Sequence, residues 1–179
     1  MDAVELALRA MGAFYVFAGY VATRAALTSH LIDRALAAIS AAKPAPVETA
    51  QSLWLLGAAN LILLGGAALV LLLDAAAWIF VASALGQAAY LFVVAPVYFD
   101  ASDPPDPNGR RQSTNAFVVY AAATALVVWA AAVGRLARWQ EMPWQILAIA
   151  AAAAASHLAY TIWMFAKPLT SDETSGGSP

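Results

Sequence analysis

Cysteine is absent from the 179 residues of the chain. Its absence excludes disulfides, thiolate metal sites and a cysteine nucleophile. Histidine is almost as scarce, since only His30 and His157 are present. Two histidines so far apart in the sequence do not predict a metal site or a bis-histidine haem. We therefore expect neither a metal nor another cofactor.

Charged residues are also few, at 11% of the chain against 63% hydrophobic residues. A soluble domain is typically about 25% charged. The composition therefore predicts an integral membrane protein of one domain that contacts the lipid bilayer. A formal net charge of −2 provides no basic field to attract nucleic acid, so no nucleic-acid partner is expected. The abundance of alanine is associated with GC-rich bacterial genomes and favours a bacterial inner membrane.

Four long windows of the sequence contain no aspartate, glutamate, lysine or arginine. They are residues 49–73, 75–99, 112–134 and 142–166. A bilayer core about 30 Å thick needs roughly 20 apolar helical residues, so each window predicts a spanning helix. Trp54, Trp78 and Trp129 lie near window edges, which is typical of an aromatic belt. Only Asp74 separates the first two windows, so a tight turn is expected there.

The N-terminal segment is shorter, because residues 10–23 are the only uncharged stretch between Arg9 and Arg24. In one interpretation both arginines extend outward from a spanning helix, which continues as an amphipathic segment with a wet face. That face would carry His30, Asp33 and Arg34. In the other interpretation Arg24 faces protein, because an unpaired charge in hydrocarbon costs several kcal/mol.

The fold class predicted from these patterns is an all-α membrane bundle of five transmembrane helices, the first extended by an amphipathic segment. The expected spans cover residues 6–28, 50–73, 76–99, 115–134 and 143–166, within a single domain of residues 1–169. If the first segment lies on the membrane, four spans remain. The polar residues 170–179 predict a disordered tail. The acidic N-terminus does not resemble a secretory signal, so it is expected to be retained.

Lysine and arginine in the flanks give the expected orientation. We name side B the end of the bundle at which the first helix ends, and side A the opposite end. Side B carries more of the positive residues, namely Arg34, Lys43, Arg110, Arg111 and Lys167. Side B is therefore expected to be cytoplasmic and to include the C-terminus of a multi-pass cell-membrane protein.

The strongly polar residues of the predicted spans gather in the half next to side B. Such residues usually face the interior of a bundle, where they either bond helix to helix or line a pocket. As a pocket they would form a ligand-binding site of Arg24, Asn60, Gln87, Tyr90, Tyr120, His157 and Tyr160. Arg24 would then bond to groups among Asn60, Gln87, Tyr120 and His157. Without a carboxylate in the four windows, an anionic ligand would suit its guanidinium.

Two runs of small residues predict close helix packing, LLGGAAL at 63–69 and AIAAAAAASH at 148–157. The sequence contains no GxSxG, HExxH or P-loop motif, so no catalytic residue is predicted. We therefore expect a non-catalytic accessory or scaffold subunit that binds a membrane-protein partner or a second copy of itself. One alternative is a binder or transporter of a small amphipathic or lipidic ligand. A second is a membrane enzyme with His157 as general base.

Overall fold

The computed structural model of the chain describes residues 2–39, 46–99 and 107–167. All five long elements are helices: α1 (Ala3–Ile39), α2 (Pro46–Val70), α3 (Ala75–Ala89), α4 (Pro107–Ala132) and α5 (Trp144–Ala166). A π-helix, Tyr90–Phe99, continues α3 without a break. With that extension, each helix is long and apolar enough to cross a membrane. The prediction of five helices is confirmed, whereas the expected tail at 170–179 lies outside the described residues.

Two helices are longer than the expected spans. Helix α1 has 37 residues and is about 55 Å long at 1.5 Å per residue. Helix α4 begins at Pro107, eight residues before the expected start at residue 115. In its first turns the hydroxyls of Ser113 and Thr114 donate to carbonyls one turn earlier. Such bonds satisfy a polar side chain within its own helix.

Helices α1 and α2 pack closely because glycine lies at their contact. A Cβ added to Gly19 would lie 2.6 Å from the backbone nitrogen of Leu63. A Cβ on Gly66 would lie at the same distance from the nitrogen of Val16. Higher numbers in α1 therefore meet lower numbers in α2, so the two helices run antiparallel. Both glycines of the small-residue run at 63–69 therefore pack within the chain, Gly66 against α1 and Gly65 against Phe80 of α3.

The core joins α1, α3 and α4 through three aromatic rings. The ring centroids of Tyr15, Phe80 and Tyr120 lie 5.2–5.5 Å from one another. The ring of Tyr15 meets the other two edge to face, an arrangement that favours aromatic contacts. Leu69 and Val127 are fully buried in the same cluster. This apolar core leaves little room for a polar pocket at its centre.

The expected tight turn at Asp74 is present, and it also redirects the end of the chain. After α4, the connection to α5 passes beside this turn. The Ala137 N–H donates to the Leu72 carbonyl at 2.7 Å, and the Asp74 N–H donates to the Ala137 carbonyl at 2.9 Å. Helix α5 consequently packs against α1 and α2 rather than against α4. The position of α5 therefore depends on these two backbone hydrogen bonds, which the hydropathy of the sequence does not reveal.

The C-terminal part of α1 differs from the expected wet face. The His30 ring is buried and stacks on Phe165 of α5, with ring centroids 3.9 Å apart. The Arg34 guanidinium donates to the Lys167 carbonyl at 2.8 Å. Polar residues of this segment therefore bind α5, while Leu36 and Ile39 are exposed. The sequence reasoning failed here because it treated the segment as an isolated helix.

Candidate functional site

Arg24 is the centre of the candidate site. Its Nη1 donates a hydrogen bond to the hydroxyl oxygen of Tyr160 at 2.9 Å, which links α1 to α5. The expected acceptors were Asn60, Gln87, Tyr120 and His157. Tyr160 was expected in the same site, but not as the acceptor of this bond. No described carboxylate lies within ion-pair distance of Arg24. Its positive charge is therefore not neutralised by the described part of the chain.

A groove separates α5 from α1 and α2. It lies between Arg24 and the side-A end of the bundle. Its volume is about 690 Å³ and its surface is almost wholly apolar. We name it the α5 groove; it is lined by residues that include Ala13, Phe17, Tyr20, Leu63, Ile149 and Ala153. Arg24 follows Tyr20 by one helical turn, so it lies just beyond the end of the groove.

The other polar groups at this end of the groove come from α5. His157 follows Ala153 by one turn, and Tyr160 lies almost one turn further on. The Nε2 atom of His157 is buried and has no hydrogen-bond partner among the described residues. Buried polar atoms ordinarily have partners, so a ligand or water is expected to reach this atom. The lining of the groove is therefore apolar, and Arg24, His157 and Tyr160 follow its last lining residues on α1 and α5 without lining it themselves.

Gln87 and Tyr90 come together in a second, separate place. They line a cavity of about 300 Å³ between α2, α3 and α4 at the side-B end. We name it the side-B cavity; its lining includes Trp54, Ala58, Gln87, Tyr90, Ser113 and Phe117. The structure therefore divides the predicted single pocket into a groove at Arg24 and a cavity at Gln87.

Asn60 and Tyr120 line neither space. Asn60 is buried in α2, and its Nδ2 donates to the Leu56 carbonyl of its own helix at 2.8 Å. Tyr120 is committed to the aromatic core, where its hydroxyl lies near Ser83 but outside hydrogen-bonding geometry. Both residues lie near the middle of their helices. Depth along the bundle could not say which way each side chain points around its helix.

Two polar residues of the site were missed by the sequence reasoning. Ser83 is buried and accepts a hydrogen bond from Gln87 Nε2 at 3.2 Å. Gln51 Nε2 donates to the Tyr90 hydroxyl, also at 3.2 Å. The spacing of Ser83 and Gln87, one turn apart, could have indicated the first pair. Within the described ranges, no three His, Asp or Glu side chains gather as a metal site would require.

Comparison of the chain with protein-family models, with curated proteins and with solved structures gives no significant match. The function must therefore be argued from the groove, the cavity and the charges themselves.

Proposed function

We propose that the chain is an integral membrane protein of five spans that binds a single-chain anionic lipid in the α5 groove and does not catalyse a reaction on it. Side B is the cytoplasmic side in this proposal, and a bacterial inner membrane is the location that the composition favours. The observation that carries the proposal is Arg24, which has no described carboxylate partner and follows Tyr20, the last α1 residue that lines the apolar groove, by one helical turn.

The groove suits the chain of a lipid. From Arg24 to Ala13 along α1 is eleven residues, or about 16 Å of helix. An extended acyl chain could follow this length between α1, α2 and α5. Such a ligand would arrive from the bilayer, where moving an apolar chain between lipid and groove yields little hydrophobic free energy. Selectivity would therefore come from the head group.

The guanidinium of Arg24 suits an anionic head. A guanidinium in a region of low dielectric is costly unless it is paired or hydrated. Only one of its five N–H donors is used by Tyr160, so a carboxylate or phosphate could still bind in bidentate fashion. No described carboxylate orients His157, which is why binding is favoured over catalysis.

A fluorescent fatty acid tests the proposal. The protein in lipid nanodiscs would be titrated with cis-parinaric acid, with empty nanodiscs as the background. We expect saturable binding, and a ten- to hundredfold loss of affinity in Arg24→Gln, as for lost hydrogen bonds to charged groups. Arg138→Gln is the matched control, because Arg138 is exposed at side A. Equal affinity of wild type and Arg24→Gln would overturn the proposal.

A second candidate function is the accessory or scaffold subunit expected from the sequence. The observation that favours it is that α5 packs on one face only, with Thr161 as its buried residue. Small residues lie exposed on the helix at helical spacing, namely Ala148, Ala152, Ala155 and Ala159. Such a stripe allows close approach of another helix. Ala152→Cys should then cross-link to a second copy or a partner, whereas Ala150→Cys in the groove should not.

A further inference from the structure

The side-B cavity offers hydrogen-bonding groups that the proposed lipid site does not use. One N–H of the Gln87 amide is bonded to Ser83, which leaves its second N–H and its carbonyl oxygen. The Tyr90 hydroxyl accepts from Gln51, which leaves its own proton to donate. The Ser113 hydroxyl donates to the Gly109 carbonyl, which leaves its oxygen to accept.

The described lining of this cavity carries no charge. A charged ligand would lose its hydration there without gaining a counter-charge, which is costly in an apolar site. Trp54 and Phe117 supply aromatic surface to the same space. Flat rings pack well against such side chains. A volume of about 300 Å³ is at the lower end of the range for small-molecule sites.

One buried polar atom near the hydrogen bonds of the cavity lacks a partner among the described residues. At the inner end, Gln87 bonds to Ser83, next to the unpartnered Tyr120 hydroxyl. Buried groups of this kind usually mark a place where water or a ligand is accommodated.

The backbone also changes at this point. Helix α3 becomes a π-helix at Tyr90, one of the lining residues. Departures from regular α-helix of this type are frequent at functional sites, because they re-aim side chains. Here the change begins at Tyr90, three residues after Gln87.

We propose that the side-B cavity binds a neutral, ring-bearing small molecule that presents a hydrogen-bond acceptor to Gln87 and Tyr90. The ring lies against Trp54 and Phe117, and the acceptor takes the free amide N–H and the phenolic O–H. This site is separate from the α5 groove, and its occupancy does not depend on Arg24.

Two probes with the same ring system test whether the cavity selects a neutral ligand over an anion. Equilibrium dialysis of the protein in nanodiscs would compare 2-naphthamide, which is neutral, with 2-naphthoate, which is an anion with the same ring system. Empty nanodiscs give the partition background. We expect saturable binding of 2-naphthamide and at least tenfold weaker binding of 2-naphthoate. Absence of saturable 2-naphthamide binding, or equal binding of the two probes, would overturn the proposal.

Variants locate the binding. Gln87→Leu should weaken 2-naphthamide binding about fivefold or more, as for one lost hydrogen bond. Gln145→Leu is the matched control, since Gln145 is exposed on α5. Ala58→Phe fills the cavity without removing a hydrogen bond and should abolish binding, with helix content checked by circular dichroism. Arg24→Gln should leave binding unchanged. Unaltered affinity in a folded Ala58→Phe protein would place the probe elsewhere and contradict the assignment.

Discussion

The three arginines of α1 differ in what they bind. Arg9 donates to the carbonyl of Val70, the last residue of α2, and Arg34 donates to carbonyls at the end of α5. A cation at a helix C-terminus satisfies free carbonyls and complements the helix dipole. Arg24 instead meets the hydroxyl of Tyr160 on an exposed face between α1 and α5, so it does not point into the interior of the bundle. Arg9 and Arg34 therefore have a structural explanation within the chain, because each binds a helix end. The positive charge of Arg24 has no such partner.

Glycine at the α1–α2 contact gives a residue-scale prediction. Gly19→Ala would place a Cβ 2.6 Å from the backbone of Leu63, so the helices must separate. We expect a loss of about 1–3 kcal/mol in the free energy of unfolding, as for overpacking. A Cβ at Gly57 meets nothing within 4 Å, so Gly57→Ala is the control. Thermal denaturation in detergent measures both, and equal melting temperatures would contradict the packing.

Asp2 gives a prediction about pH. The N–H of Glu5 and the guanidinium of Arg135 both bind its carboxylate and hold the pKa of Asp2 below the usual 3.8. A carboxyl whose folded pKa is lowered stabilises the fold above its unfolded pKa, and loses that contribution as pH falls through the folded value. NMR titration of Asp2 should give a midpoint below 3.8, and Arg135→Gln should raise it. A midpoint at or above 3.8 would contradict the contact.

At the scale of helices, the number of elements was predictable but the neighbours of α5 were not. Uncharged windows locate helices because each must be long and apolar. Hydropathy contains no information on how a connection crosses a neighbouring turn, which here depends on the bonds between Ala137 and the α2–α3 turn. The π-helix from Tyr90 was not predicted either, although Pro96 inside it interrupts the hydrogen-bond pattern of a regular α-helix.

The candidate site shows the same limit. Arg24 and Tyr160 were both predicted as site residues and are joined, and Gln87 and Tyr90 share a cavity. Depth along the helices suggested the membership of one pocket, but it did not predict these pairs. The rotation of each helix about its own axis decides which space its side chains enter. Tyr120 was assigned to the pocket, although its ring lies in the core. Hydrophobic patterning is a weak guide to rotation when lipid and core are both apolar.

The contact between the C-terminal ends of α1 and α5 gives a prediction at the scale of helices. His30 stacks on Phe165, and Arg34 donates to the carbonyl of Lys167. The double variant His30→Leu with Arg34→Met should raise amide hydrogen exchange in residues 163–166 about tenfold, because local opening loses these contacts. Arg138→Met serves as the control. Unchanged exchange in the double variant would show that the last turn of α5 is held in another way.

At the scale of the whole molecule, five spans predict that successive connections lie on alternate sides of the membrane. Five spans would place Glu48, Gln112 and Lys167 on the cytoplasmic side and Asp74 and Arg138 on the other. The chain has no native cysteine, so single cysteines at these positions can be labelled in intact cells with a membrane-impermeant maleimide. We expect reaction from outside only at positions 74 and 138. Reaction from outside at position 48 but not at 112 would show that the number of spans is wrong.

The central claim is that Arg24 recruits an anionic lipid to the α5 groove. Native mass spectrometry of the protein released from nanodiscs measures retained lipid directly. We predict a wild-type ion that carries the mass of a single-chain anionic lipid, and its loss in Arg24→Gln but not in Arg138→Gln. A wild-type ion free of lipid, or the same bound lipid in wild type and Arg24→Gln, would contradict the account.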